Sequence, residues 1–409
     1  MKTDLDRLMA ERGLDAFIVL GRAHNNPIMY YLTNGAKLTV AEVVKRRGQP
    51  AVLIHGDMER DEAAKSGLIT RSRNDYDFIG ILQQEGDRRK AMVRYFAKVI
   101  VDLIGVRGNV GVYGTADVGA TLALLTDLRQ VLPGIEFVGE ADASIFDIAM
   151  MTKDANEVER IRRVGQLTAE IVAETVDFLR GHAVRDGKLV RRDGRPLTVG
   201  DVKRVIRRMI LERGLEDPEE VIFAVGRDAG VPHSHGEEQD ELVLGKTIVY
   251  DIFPREAGGG YFFDMTRTFC LGFAEPEVKA TYDDVRGCME TVIAAMQPDG
   301  LARQYQELAC DYFEARGHPT IRSDRTTLSG YVHSLGHGIG LQLHARPSLS
   351  SIGTNEDRLV RGAVFTVEPG LYYPERGFGV RIEDVLYVDE NGQFHNLTNY
   401  PKDLVIEMK

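Results

Sequence analysis

Up to about residue 150 the chain alternates short apolar runs with stretches of helical period. Residues 16–20, 51–55 and 109–112 have the length, branched side chains and bounding turn residues of strands. Residues 57–65 and 90–104 repeat their apolar positions three and four apart, the spacing of an amphipathic helix. Strands interleaved with helices predict an α/β domain. Gly105, Gly108 and Gly111 punctuate strand edges, and no glycine loop of the kind that cradles phosphate is present.

A different pattern starts at residues 150–153. Asp154 and Glu157 are spaced as a reciprocal helix cap. Behind them Val158, Ile161, Val164, Thr168, Val172, Val176 and Leu179 trace one face of a long helix. A basic stretch, RDGKLVRRDGR at 185–195, is punctuated by Gly and Asp and reads as a surface loop or hairpin. A second helix is expected at 199–213. Beyond Pro218 come strands at 221–225, 247–253 and 261–270, helices near 276–296 and 302–316, and strands at 363–368 and 379–388. This half predicts helices against a largely antiparallel sheet, an α+β fold. The expected domains are 1–151 and 152–409, and no internal repeat is evident.

Bulk composition narrows the class. The hydrophobic fraction, 43%, is ample for two cores, and no apolar run is long enough to span a bilayer. The opening MKTDLDRLMAERGL is charged and amphipathic, unlike a signal peptide. Cys270, Cys288 and Cys310 are odd in number and lack CxxC spacing, which suits a reduced, cytoplasmic setting. The formal charge of −11 argues against nucleic acid or an anionic membrane as partner.

The candidate chemistry lies in five short frames of the C-terminal half. Asp251 ends TIVYD, Asp264 opens DMTRTF, His337 lies in GHGIG, Glu368 opens EPG and Glu383 lies in RIED. Four carboxylates and one imidazole are a donor set for two divalent cations, and with no thiolate it favours manganese, cobalt, iron or zinc over a soft metal. Strand alternation places Asp264, Thr266 and Thr268 on one face, Arg381 and Glu383 on another, and Thr366 with Glu368 between them. Without cations such a cluster is costly: two carboxylates ~4.5 Å apart repel by roughly 4 kcal/mol at an effective dielectric of 20. Arg381 would orient Glu383 and offset part of that charge. Gly336, Gly338 and Gly340 suit close backbone approach around His337.

In these ordered frames the chain resembles the pita-bread metallopeptidases, the family of aminopeptidase P, prolidase, methionine aminopeptidase and the metal-free creatinase. YYLTN at 30–34 looks like a stretch of the creatinase-type N-terminal domain, and Lys153 with residues 157–162 looks like the opening of the catalytic domain. An N-terminal domain of this size points to the proline-directed branch. The resemblance implies that Asp251 binds one metal alone, Asp264 and Glu383 bridge two, and His337 and Glu368 complete the second site. It makes Glu368 the general base and His344 a substrate and intermediate ligand. His233 matches a further site histidine, with His235 its close rival. A homodimer is implied as well.

Three departures bear on specificity. The spacing from Asp251 to Asp264 is longer than relatives commonly show, and a lengthened hairpin would absorb it. Phe253 stands where glycine often follows the first aspartate, narrowing the cavity. Ser348 stands where prolidases often carry an arginine for a dipeptide's carboxylate, with Arg346 two residues earlier as a substitute. The expected reaction is metal-dependent hydrolysis of the Xaa-Pro bond, at the N-terminus of peptides or in dipeptides. The alternatives are a creatinase-like hydrolase or metal-dependent lyase on the same fold, and a non-enzymatic binding module.

Overall fold

The computed structural model describes residues 2–408, which cluster as two compact units, one made of the chain up to Met150 with Gly258–Gly260, the other of the remainder. In the first unit six strands form one mixed sheet: β1 (Ala16–Gly21), β2 (Ala41–Arg46), β3 (Val52–His55), β4 (Ile69–Ser72), β5 (Gly108–Thr115) and β6 (Ile135–Val138), in the order β4-β3-β2-β1-β5-β6. β1 pairs with β5, β5 with β6 and β3 with β4 in parallel, while β2 runs antiparallel to both its neighbours. The helices are α1 (Leu5–Glu11), α2 (Pro27–Thr33), α3 (Arg60–Ala64), α4 (Phe78–Glu85), α5 (Arg88–Leu103), α6 (Val118–Val131) and α7 (Ile145–Met151). Ala91, Tyr95, Val99 and Ile100 of α5 bury against Ile18, Val44, Ile54 and Val110 of the sheet. The helix expected at 57–65 is a 3-10 turn followed by the short α3.

The second unit opens on α8 (Ala155–Arg180). Asp154 accepts from the Asn156 and Glu157 amides, Glu157 accepts from the Asp154 amide, and the seven-residue stripe of the sequence is buried. β7 (Ala183–Arg185) and β8 (Lys188–Val190) make the basic stretch a hairpin, and α9 (Val199–Glu212) follows. Then come β9 (Leu215–Glu216), β10 (Ile222–Val225), β11 (Thr247–Ile252), β12 (Arg255–Glu256), β13 (Met265–Leu271), α10 (Pro276–Ala295) and α11 (Ala302–Glu314). The rest is β14 (His337–Gly338), β15 (Ala345–Ser348), β16 (Val364–Val367), β17 (Gly370–Tyr373), β18 (Phe378–Arg381), β19 (Asp384–Val388), β20 (Phe394–Asn396) and β21 (Val405–Ile406). One sheet runs β10-β11-β13-β21, a second β15-β14-β16-β19-β20, and β17 and β18 form a hairpin beside them. All these pairs are antiparallel except β13 with β21. Val285, Met289 and Val292 of α10 and Phe313 of α11 pack on Phe365, Val367, Val380 and Leu386 as the core.

Two expected strands are interrupted, and both breaks fall at candidate ligands. The 261–270 run enters β13 only at Met265. Before it, the Phe262 amide donates to the Gly340 carbonyl at 2.8 Å and that of Phe263 to the Pro254 carbonyl at 3.0 Å. Asp264 therefore stands in a pinned, irregular stretch just before β13. β12 pairs with β9 and also bridges Phe262 in antiparallel register, with the Glu256 amide donating to the Tyr261 carbonyl at 3.0 Å, so a lengthened hairpin absorbs the extra spacing. The 379–388 run splits after Arg381: β18 belongs to the hairpin and β19 to the second sheet. Glu383 sits at the switch, its N–H donating to the Thr266 carbonyl at 3.0 Å. Alternation nevertheless holds across both breaks: Asp264 and Glu383 line the same cavity as Arg381, and Thr266 bonds both Arg381 and Glu383, so residues two apart in each run share the site face, as the sequence predicts.

Candidate metal centre

Asp251 is carried by β11 and His337 by β14, while Asp264 immediately precedes β13, Glu368 immediately follows β16 and Glu383 immediately precedes β19. All five line one cavity of about 500 Å³. The register brings them together: Asp251 lies opposite Thr266 across β11–β13, and Thr366 lies opposite Val385 across β16–β19. His337 can reach in because its flanks are glycines. A Cβ on Gly336 would lie 2.1 Å from the Thr366 carbonyl oxygen, and one on Gly338 would lie 1.9 Å from that of Arg346. No other residue fits there.

Oxygens and one nitrogen converge without saturating each other. His337 Nε2 lies 3.7 Å from Asp264 Oδ2 and 3.4 Å from Glu368 Oε1. Asp264, His337 and Glu383 each offer a ligand atom within 4.8 Å of the others. Asp251 Oδ1, Asp264 Oδ1 and Glu383 Oε1 are buried and accept no hydrogen bond. Buried carboxylate oxygens are costly unless paired, so a divalent cation is the partner this donor set fits. His337 is prepared for that role: its Nδ1–H donates to the Gly338 carbonyl at 3.1 Å, leaving the Nε2 lone pair aimed at the acids.

The electrostatics show what the cluster costs by itself. Burial, then the charges of Glu383, Asp251 and Glu368, holds the Asp264 carboxyl well above its usual range. Burial, Glu368 and Asp251 do the same to Glu383. Burial raises Glu368 to about 8 against the opposing pull of Arg381. Burial, with His344 adding to it, lowers His337 to about 3, keeping it neutral.

Arg381 is the counterweight. Its guanidinium donates to Asp251 Oδ2 at 2.6 Å, to Thr266 Oγ1 at 3.1 Å, to the Tyr372 hydroxyl at 2.8 Å and to the Pro232 carbonyl at 3.2 Å. Thr266 Oγ1 in turn donates to Glu383 Oε2 at 2.8 Å. The expected link from Arg381 to Glu383 therefore runs through a threonine, and its direct carboxylate partner is Asp251. Beyond Tyr372 the chain of hydrogen bonds continues. His333 Nδ1–H is committed to the Ser334 carbonyl at 2.7 Å, so its Nε2 accepts from the Tyr372 hydroxyl at 2.8 Å. Burial, then Arg381, lowers His333 to about 3.

Of the other candidates, His344 borders the cavity with its ring 4.4 Å from that of His337, and burial, then His233, lowers its pKa. His233 and His235 both line the cavity. Ser348 lines it too, whereas Arg346 is tied to Asp357 outside the lining. Phe253 forms an apolar wall with Ile222 and the partly buried Leu343. Sequence reasoning missed His333, Thr266 as the go-between and Glu219 at the cavity edge; the HSLGH spacing around His333 and His337 is the signal that could have flagged the first. Lys153 lies behind the His337 loop. It is 6% exposed, donates to the Met151 carbonyl at 3.1 Å, and burial lowers it to about 8.

Comparison with known proteins agrees with this geometry. The chain is 29% identical over 298 residues to a protein named probable dipeptidase PepE of Mycobacterium tuberculosis, covering 72% of each. It is 24% identical over 288 residues to the Xaa-Pro dipeptidase of Pyrococcus furiosus, covering 68% of this chain and 78% of the relative. The solved Xaa-Pro dipeptidase of Bacillus anthracis superposes with a TM-score of 0.77 at 21% identity over 99% of both chains, which shows the two-domain pita-bread fold expected from the sequence. The profile of metallopeptidase family M24 matches residues 159–390, more than half of the chain and the stretch that contains every candidate ligand. The chain belongs to metallopeptidase family M24.

Proposed function

We propose that residues 152–409 form the catalytic domain of a peptidase that hydrolyses the bond between a first residue and proline. Residues 1–151 would be its N-terminal domain. The observation that carries this is the convergence of Asp251, Asp264, His337, Glu368 and Glu383 on one cavity with three buried carboxylate oxygens unspent. Asp264 and Glu383 would be shared by two divalent ions, Asp251 would serve one, and His337 with Glu368 the other; manganese or cobalt suits the oxygen-rich set best. Bound there, the ions supply Lewis-acid polarisation of the scissile carbonyl and lower the pKa of the attacking water.

The protein side of the chemistry is positional. Glu368 takes the proton of the attacking water. Arg381, through Asp251 and Thr266, holds two carboxylates in place. His344, with His233 and His235 also lining the cavity, donates a hydrogen bond to the developing oxyanion and relays the proton taken up by Glu368 to the leaving proline nitrogen. The relative named Xaa-Pro dipeptidase supports proline in second position, and a dedicated site suits a residue with fixed φ and a tertiary amide.

Arg381 is the one cation among the residues lining the cleft, and its guanidinium is spent. A dipeptide's carboxylate would therefore meet histidines, and peptides extended beyond proline should be accepted as well as dipeptides. The three buried, unpaired cysteines suit the cytoplasm, and a homodimer completes the proposal. No helix among the described residues is long and apolar enough to cross a membrane.

The test is release of the first residue from Ala-Pro, Ala-Pro-Ala and Ala-Ala-Ala with manganese or cobalt. Turnover of the proline peptides and not of the third is expected. Absence of turnover on both proline peptides under either metal, or equal turnover of all three, would overturn the assignment.

A further inference from the structure

The N-terminal unit holds a second cavity, of about 680 Å³, with no part in the metal cleft. Its position follows from the topology. β1 and β5 are parallel neighbours, so their carboxyl ends, at Leu20–Gly21 and just before Ala116, open on the same edge of the sheet. From β1 the chain leaves towards β2 on one side, and from β5 towards β6 on the other. The crevice lies outside the carboxyl ends of these two parallel strands and beside the start of antiparallel β2, the edge at which open α/β sheets bind ligands. The volume falls in the range of small-molecule sites, roughly 300–1,000 Å³.

The lining has two characters. Met92 and Phe96 of α5 and Leu124 of α6 make an apolar wall. Against it stands charge, most of it already spent. Glu42, 2% exposed, is held by Arg73 through both carboxylate oxygens and by the Tyr95 hydroxyl at 3.3 Å. Arg89 grips Asp127 at 2.6 and 2.8 Å, and Asp117 caps α6 by accepting from the Ala120 amide at 2.8 Å. Arg22 and Arg88 are left: both line the cavity, both are exposed, and neither has an ion-pair or hydrogen-bond partner among the described residues.

Two exposed guanidiniums without partners among the described residues, lining the same crevice as an apolar wall, define a complementary ligand. We propose that this crevice binds a small molecule in which an apolar body carries an oxyanion, a carboxylate or a phosphate. The body packs on Met92, Phe96 and Leu124, and the oxyanion takes the planar, two-pronged hydrogen bonds that guanidinium offers.

The test is calorimetric titration of the full, manganese-loaded chain with 4-phenylbutyrate and with phenyl phosphate, beside neutral 4-phenylbutanol and inorganic phosphate. Two variants accompany it: the double substitution Arg22→Ala with Arg88→Ala, and Ala123→Phe, which fills the crevice and leaves its charge intact. At least one aryl anion should bind, weakened tenfold or more in each variant and by added salt, with both controls at least tenfold weaker. Which anion binds tighter separates a carboxylate from a phosphate ligand. Failure of both anions to bind at millimolar concentration, unchanged binding in either variant, or equal binding of a control would overturn the proposal. Peptidase turnover should be the same in all three proteins, so the outcome does not depend on the metal cleft.

Discussion

Arg381 and Lys153 are both buried cations, and they differ in what offsets their desolvation. Arg381 meets Asp251, Thr266, Tyr372 and the Pro232 carbonyl. Burial lowers its pKa, but Tyr372 and the charges of Asp251 and Glu368 outweigh it and hold the guanidinium well above its ordinary value. Replacing it by alanine leaves Asp251 buried and unpaired, a change worth roughly 3–5 kcal/mol. Metal affinity should fall by about 10–100-fold. Titration of the purified variant with manganese checks this, and Arg381→Lys should recover part of the loss; unchanged affinity in Arg381→Ala would contradict its role. Lys153 has one carbonyl partner, and burial lowers it to about 8 from an unfolded value near 10.5. Between those values the unfolded chain binds more protons, so this lysine costs stability below pH 8 and ceases to do so as pH rises through 10.5. The cost is on the order of 3 kcal/mol. Lys153→Met should therefore melt higher than the natural chain at pH 7, with the gap closing by pH 10.5. A gap that is absent at pH 7, or constant with pH, would show that the amine is paid for otherwise.

At the scale of elements, Asp251 lies within a regular strand, whereas Asp264, Glu368 and Glu383 stand just outside the ends of β13, β16 and β19. β14 is two residues long with an irregular register, and its glycines let Thr366 and Arg346 backbone approach His337. Gly338→Ala should push β14 from β15, cost about 1–3 kcal/mol as an overpacked site, and lower metal affinity by displacing His337. Thermal melts with and without manganese measure both; a variant that melts and binds as the natural chain does would contradict the packing. This is also where the sequence was partly illegible. The runs 261–270 and 379–388 read as single strands because their apolar residues continue through the breaks, while the pinning bonds, from Phe262 to Gly340 and from Glu383 to Thr266, come from distant segments. In the N-terminal sheet β2 went unread because Glu42 and Lys45 interrupt its apolar pattern; only the fold supplies Arg73 and Asp6 to bury them. β4 and β6, four residues each, are too short to show a period. The cap at Asp154 and the stripe of α8 were legible because both are local, and the five ligand frames because their order along the chain is itself the signal.

For the whole molecule, the central question is whether distant segments were folded to hold cations. Asp251 and Glu383 lie 132 positions apart in the chain, yet Thr266 and Arg381 join them through three hydrogen bonds. Burying mutually repelling carboxylates weakens the fold unless cations repay the cost, and part of the formal charge of −11 sits in this cleft. The most direct measurement is anomalous scattering from crystals of the manganese-loaded protein, collected on both sides of the manganese edge. Two peaks about 3.5–4 Å apart, enclosed by Asp251, Asp264, His337, Glu368 and Glu383, are predicted. No peak among these side chains, or manganese bound elsewhere while the cleft stays empty of it, would contradict the account.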